Sequence, residues 1–131
     1  MMRKMIPLSV AAVAIFLFTG QRASAGSPYD LTAVDDLAAG YDYASSAYDN
    51  NPDDWDAYYA YYYAYYAQYY ANFAYTYDDQ NCWYYACYYA ECAAMYAIDS
   101  YDANDDEDSN AFYAWMYCSD GSDYAWNAYT Y

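Results

Sequence analysis

Alanines recur along this chain at steps of three and four. Between Pro52 and Tyr77 they stand at Ala57, Ala60, Ala64, Ala67, Ala71 and Ala74, which puts a small residue at both the a and d positions of a heptad. Tyrosine fills most of the positions between, among them Tyr58, Tyr62, Tyr65 and Tyr69. Tyrosine in isolation favours strands. A strand would require period two, and none is present, while alanine is the best helix former. The pattern therefore predicts a helix over this whole stretch.

Boundary signals agree. Asn51 reads as an N-cap, Pro52 suits the first helical position, and Asp53 and Asp54 favour the positive end of the helix dipole. The same grammar opens an earlier segment: Ser27 caps, Pro28 starts, and Asp30 follows three residues after the cap as a capping-box partner. That first helix is expected from Pro28 to Ala47, with small residues Ala33, Gly40, Ala44 and Ala47 around Leu37. A third begins after Asp78-Asp79 and runs to about Ile98 on Ala86, Ala90, Ala93 and Ala97. Residues 99–108 are nearly all Asp, Asn, Ser and Glu and read as a solvated loop. Ser109 then caps a fourth segment carried by Ala111, Ala114, Cys118, Gly121, Ala125 and Ala128, with a competing stop-and-restart signal at Ser119-Asp120-Gly121-Ser122. The fold class expected is all-α: a small antiparallel bundle of about four helices with alanine heptad seams. Such seams let helix axes approach toward the low end of about 8–10 Å.

The N-terminus is different in kind. Arg3 and Lys4 precede an apolar run from Leu8 to Phe18, Gly20 and Gln21 break it, and Ala23-Ser24-Ala25 fits a small-x-small cleavage site. Residues 1–25 read as a cleavable secretory signal peptide, too short in its apolar part for a span of about 20 residues. Residues 26–131 then form a single acidic, tyrosine-rich helical domain, located in the periplasm, cell envelope or extracellular space. Cleavage changes the charge, because Arg3, Lys4 and Arg22 are the only basic residues and there is no histidine. All 19 acidic residues remain. Nucleic acid is excluded as a partner, since its binding rests on Lys and Arg. Cations, basic proteins and basic polymers are the suitable counterparts.

Large aliphatics are scarce after the leader: Leu31, Val34, Leu37 and Ile98, besides Met95 and Met116. The core must therefore be alanine and aromatic ring, and each of the 26 tyrosines needs somewhere to place its hydroxyl. The second helix carries no charge between Ala57 and Tyr77. A helix apolar all round is normally buried, so it is expected to pack against further copies, a partner or a surface. A membrane span is disfavoured by so many phenols at bilayer depth.

Candidate chemistry is sparse. Cys82, Cys87, Cys92 and Cys118 are disulfide candidates in an exported chain. On a straight helix, Cys82 falls near the alanine seam, Cys87 to one side and Cys92 away from it. Residues five apart on a helix are too distant for a bridge, so at most one of the three pairs with Cys118 unless the helix start unwinds. The remaining thiols would serve bridges between copies. The spacing, without histidine, does not suit zinc. Asp102, Asn104, Asp106 and Asp108 alternate like the first half of a calcium loop, but the positions that require Gly and Glu hold Glu107 and Tyr113. They give a weak calcium site at best, and no other cofactor is indicated. Without His, Lys or a Gly-rich phosphate loop, catalysis is not expected.

In composition, and in composition only, the chain resembles secreted matrix or envelope proteins hardened through tyrosine. The expected function is a structural or interaction protein that forms homo-oligomers through tyrosine-rich surfaces, with crosslinks between copies. The alternatives are an acidic calcium-binding module and a tyrosine-based redox relay.

Overall fold

The structure is a computed structural model that describes residues 27–104 and 107–131; residues 1–25, expected to be a signal peptide, and Asp106 of the candidate calcium loop lie outside the described residues. Four helices account for nearly all of it: α1 (Asp30–Asn50), α2 (Trp55–Tyr77), α3 (Gln80–Ala103) and α4 (Ser109–Thr130). No strand occurs among the described residues. Helix α1 packs on α2 and α4, α3 packs on α2 and α4, and the diagonal pairs barely touch. With short connections this is an up-down-up-down four-helix bundle.

The small-residue seams are the core. Ala57, Ala60, Ala64, Ala67, Ala71 and Ala74 are all buried on α2, as are Ala86, Ala90, Ala93 and Ala97 on α3. On α1 the buried set is Asp30, Ala33, Leu37, Gly40, Ala44 and Ala47, and on α4 it contains every seam position from Ala111 to Ala128. Two glycines show how closely α1 and α4 approach. A Cβ on Gly40 would stand 2.6 Å from Cys118 Sγ, and one on Gly121 would stand 2.4 Å from Leu37 Cδ2. Normal carbon contacts lie at about 3.5–4.0 Å, so neither position accepts a Cβ unless its neighbour shifts.

Boundaries differ from the expected ones for identifiable reasons. The cap of α2 is Asp54, whose Oδ1 accepts from the N–H groups of Asp56 (2.9 Å) and Ala57 (3.3 Å). Asn51 instead closes α1: its backbone N–H donates to Ala47 O (3.0 Å), and its Nδ2 donates to Asp108 Oδ2 (2.6 Å). Asp79 and Asp108 cap α3 and α4 in the same way as Asp54, so Ser109 is the first helical residue and not the cap. Asp, Asn and Ser are comparable caps by type, but a carboxylate also complements the positive end of the helix dipole, and at α2 and α4 it takes the cap in place of Asn51 and Ser109. At the start of α1, Ser27 Oγ accepts from Tyr29 N–H (2.9 Å), but Asp30 is itself the first helical residue.

Helix α3 also runs further than expected, through Asp99 and Asp102 to Ala103. Ser100 explains the extension: it is fully buried and its hydroxyl donates to Asp54 Oδ2 at 2.7 Å. That contact holds the last turn helical despite its acidic sequence. Helix α4 passes unbroken through Ser119-Asp120-Gly121-Ser122, because Gly121 and Ser122 are both buried against neighbouring helices. Tertiary packing overrides the local stop signal there. The α2–α3 turn needs only Asp78, in left-handed conformation (φ 53°), and the capping Asp79. An aspartate is among the few non-glycine residues that accept that geometry.

Candidate functional site: the tyrosine flank

Alanine seams leave the strips on either side of each helix contact to larger groups, and tyrosine takes them. Between α2 and α3 the rings interleave from alternate helices. Tyr59 meets Tyr96 (5.2 Å between centroids), Tyr96 stacks on Tyr63 (5.7 Å, 11°), and Tyr63 stacks on Tyr89 (6.0 Å, 25°). Tyr89 stacks on Tyr70 (5.6 Å, 10°), and Tyr70 meets Tyr85 (5.3 Å). The result is a zipper of rings along the length of the α2–α3 contact. The α1–α2 contact carries a second set, with Tyr48 and Tyr41 both stacked on Tyr61 (5.5 and 5.7 Å). The α1–α4 contact carries a third, with Tyr43 nearly parallel to Tyr117 (5.6 Å, 3°). Offset and edge-on ring pairs of this kind are worth about 0.5–1.5 kcal/mol each beyond area burial.

Burial sets the chemistry of these phenols. The Tyr63 hydroxyl is pushed up to about 12 by burial and by the neighbouring Cys92, and Tyr66 is pushed up to about 12 by burial and by Tyr62. Tyr70 is raised further in the same direction, chiefly by burial. Its hydroxyl is enclosed and makes no hydrogen bond. Tyr41, Tyr69 and Tyr96 are also raised, with burial the leading cause.

All four cysteines are buried and none is bonded to another. Cys92, expected to point away from the seam, is almost completely buried. A helix in a four-membered ring touches two neighbours, so its buried arc is wider than one heptad seam. Cys92 lies toward α2, close enough to raise the Tyr63 and Tyr96 phenols. Cys87 lies toward α4, 3.3 Å from Ser122 Oγ. Cys82 Sγ donates to Asp79 Oδ2 at 3.3 Å. Cys118 turns to α1 and fills the notch above Gly40. Burial raises all three thiols with a resolved shift, Cys118 to about 12, and carboxylates add to it at Cys82 and Cys87. Thiols so raised are poor nucleophiles.

The acidic loop is occupied with structural work. Asn104 Nδ2 donates to Asp54 Oδ2 (2.9 Å) and to Ser100 O (2.8 Å). Asp108 caps α4 through Oδ1 and accepts from Asn51 through Oδ2. Asp102 is exposed on the last turn of α3. Among the described residues no group of three or more Cys, Asp or Glu is gathered so as to hold a metal ion. None of the described helices is long and apolar enough to cross a membrane. The polar cluster of Asp54, Ser100 and Asn104 has no local motif. Its sequence trace is a serine and an asparagine four apart on one face of α3.

Charge is distributed unevenly around the bundle. Asp35 and Asp42 on α1, Glu91 and Asp99 on α3, and Asp120 and Asp123 on α4 are all exposed. Asp36 is raised by burial and by the facing Asp120 and neighbouring Asp35. Helix α2 differs: between Asp56 and Asp78 it has no charge, and Tyr58, Tyr62, Tyr65, Tyr66 and Tyr69 stand half-buried or exposed. No protein-family model matches this chain, and no match was found among curated proteins or solved structures.

Proposed function

We propose that this chain is an exported structural or interaction protein of the cell envelope or extracellular matrix, and that it self-associates through the tyrosine flank of α2. The contrast between helix faces carries this reading. Copies that share a large negative charge repel wherever carboxylates face each other. The α2 flank is the face without them, and its rings combine apolar area with a hydroxyl that tolerates water, the composition favoured at interface cores. Exposed phenols, and not the buried thiols, are the groups a second copy can reach. Oxidative coupling would then lock the assembly: each ring loses one hydrogen atom, a carbon–carbon bond forms between them, and one peroxide is reduced to two waters by an exported peroxidase.

Sedimentation equilibrium on residues 26–131 tests the reading. Association is expected to strengthen with protein concentration and with salt, because salt screens the carboxylates. It is expected to disappear in Tyr65→Glu, which places charge on the flank at an exposed position. A wild-type protein that stays monomeric at high concentration and high salt overturns it. Gel mobility of the native protein with and without reductant separates the locks, since tyrosine coupling survives reduction and disulfides do not.

A further inference from the structure

Tryptophan is used in two opposite ways in this molecule. Trp83 is only 2 % exposed, whereas Trp55, at the first position of α2, is 70 % exposed. Leaving a large aromatic in water forfeits about 2–3 kcal/mol of burial, and the surroundings of Trp55 show what it is placed for. Trp55 forms one wall of a cleft of about 320 Å3 at the α1–α2 turn, together with Tyr48, Tyr58, Pro52, Asp53 and Asp54.

Its three aromatic walls stand at steep angles. The Trp55 and Tyr58 rings are 5.9 Å apart at 87°, and Tyr48 and Tyr58 are 5.5 Å apart at 65°. Each of these rings contacts a further tyrosine. Tyr62 stacks on Tyr58 (6.2 Å, 8°), Tyr61 stacks on Tyr48 (5.5 Å, 17°), and Tyr59 supports Trp55 (6.1 Å). A site held this way is assembled before its ligand arrives. Asp54 is committed to the α2 cap and to Ser100 and Asn104. Asp53 is exposed at the rim and adds negative potential.

We infer that this cleft is an aromatic cage that binds a small quaternary ammonium cation. Ring faces attract cations electrostatically, and the attraction reaches about 2 kcal/mol when the cation is desolvated. A fully alkylated ammonium sheds water easily and presents methyl groups to the rings, whereas ammonium and sodium hold their hydration. The chain has no basic residue after Arg22 to occupy the cage itself. The volume lies at the small end of ligand pockets, which run about 300–1,000 Å3, and leaves room for a choline-sized cation. The inference does not rest on self-association.

The test is a choline chloride titration of residues 26–131 at low protein concentration, followed through the ring resonances of Trp55 and Tyr58. The comparison ligands are 3,3-dimethylbutan-1-ol, the neutral isostere of choline, and ammonium chloride at equal ionic strength. Choline is expected to bind at least about tenfold more tightly than either, a difference of about 1.4 kcal/mol. Trp55→Leu is expected to weaken choline by about tenfold with only a small fall in thermal midpoint, because most of the ring it removes lies in solvent, and Trp55→Phe should recover part of the loss. Equal binding of choline and the alcohol, equal binding of choline and ammonium, or no choline binding overturns the inference. Phosphatidylcholine vesicles distinguish the source of the cation. Co-sedimentation that choline competes and Trp55→Leu abolishes assigns a lipid headgroup, and choline binding without co-sedimentation assigns the free cation.

Discussion

Replacing Gly121 by alanine sets two effects of known size against each other. In an unstrained helix interior the change would stabilise by about 1 kcal/mol, because alanine loses less backbone entropy than glycine. Here the added Cβ would lie 2.4 Å from Leu37 Cδ2, 2.7 Å from Leu37 Cγ and 3.4 Å from Asp36 Cβ. The first two are about an ångström inside normal contact. Leu37 is fully buried in the α1 seam, so its branch has no solvent to swing into. Overpacking of a tight core costs about 1–3 kcal/mol. Because Leu37 cannot move aside, the cost falls in the upper part of that range, about 2–3 kcal/mol; the clash wins, and Gly121→Ala is expected to destabilise by about 1–2 kcal/mol net. For a domain of this size that is a fall of about 4–16 °C in thermal midpoint.

The assay is thermal and urea unfolding followed by near-ultraviolet dichroism, which reports ring packing. A double-mutant cycle with Leu37→Ala isolates the cause. If the leucine branch is the obstacle, Gly121→Ala costs less in the Leu37→Ala background, with a coupling above about 0.5 kcal/mol. Gly121→Ala at or above wild-type stability would refute the claim that Leu37 is locked against the Gly121 backbone. Gly40 provides the contrast. Its added Cβ would stand 3.3 Å from Cys118 N as well as 2.6 Å from Cys118 Sγ. Trimming the sulfur with Cys118→Ala should therefore rescue Gly40→Ala only in part, since backbone cannot yield.

Tyr70→Phe removes an enclosed hydroxyl that makes no hydrogen bond; stability should be unchanged or higher by up to about 1 kcal/mol, and a loss above that in urea unfolding would reveal a partner for the phenol. Asp54→Ala removes the α2 cap and the acceptor for Ser100 and Asn104, a combined cost of about 2–4 kcal/mol. Asp54→Asn keeps a side-chain oxygen for the cap and should recover part of that; equal loss in both variants would show that the charge, not the geometry, is what matters. Alkaline unfolding should be steep. Tyr63 and Tyr66 titrate near 12 when folded against about 10 when unfolded, so the unfolded chain releases protons first and stability present below pH 10 is lost as pH rises toward 12. Tyrosinate absorbance and loss of helix should coincide. Phenols that ionise fully while the helix signal holds would refute the burial argument. Asp36 and Asp56 shift upward for lack of any basic partner, Asp36 through burial and Asp120, Asp56 through burial and Asp54. Their charge costs stability above the raised pKa, so acidification through that raised range toward the ordinary carboxylate value of about 4 should raise the thermal midpoint.

The helices were legible because the alanine period is a local property of the chain. Ala57 to Ala74 has no competing period, and each of those positions is buried. The caps were legible in kind but displaced by one to three residues. Asn51, Ser109 and three aspartates compete within a few positions, and only the fold shows that Asn51 spans to Asp108 while Asp54 reaches Ser100. The cysteines were least legible. Their positions relative to one seam follow from arithmetic, but burial depends on two neighbours: Cys92 is covered by α2, and Cys118 enters a notch created by Gly40 on a helix more than seventy residues earlier. The cage was hidden for the same reason, since Tyr48 joins Trp55 and Tyr58 only when α1 folds back on α2.

One substitution pattern makes both the inside and the outside of this bundle. With alanine and glycine at the seams the backbones come close, and apart from Leu37, lodged against Gly121, the centre holds none of the branched aliphatics that usually fill a bundle. Apolar area must then be found beside the seams, where a group has to be flat enough to lie between helices and polar enough at its tip to end in water. Tyrosine meets both conditions, which is why Tyr63 and Tyr70 of α2 stack inward on Tyr89 of α3 while Tyr62 and Tyr69 stand half-buried and Tyr65 exposed on α2. The seam thus commits the molecule to an aromatic exterior on any helix that lacks carboxylates. On α1, α3 and α4 exposed acids dilute that exterior, and on α2 nothing does. Placing charge on α2 should therefore suppress association without touching the core, whereas enlarging the seam should unfold the bundle before any surface property changes. The two perturbations separate because the residues responsible sit one position apart on the same helix.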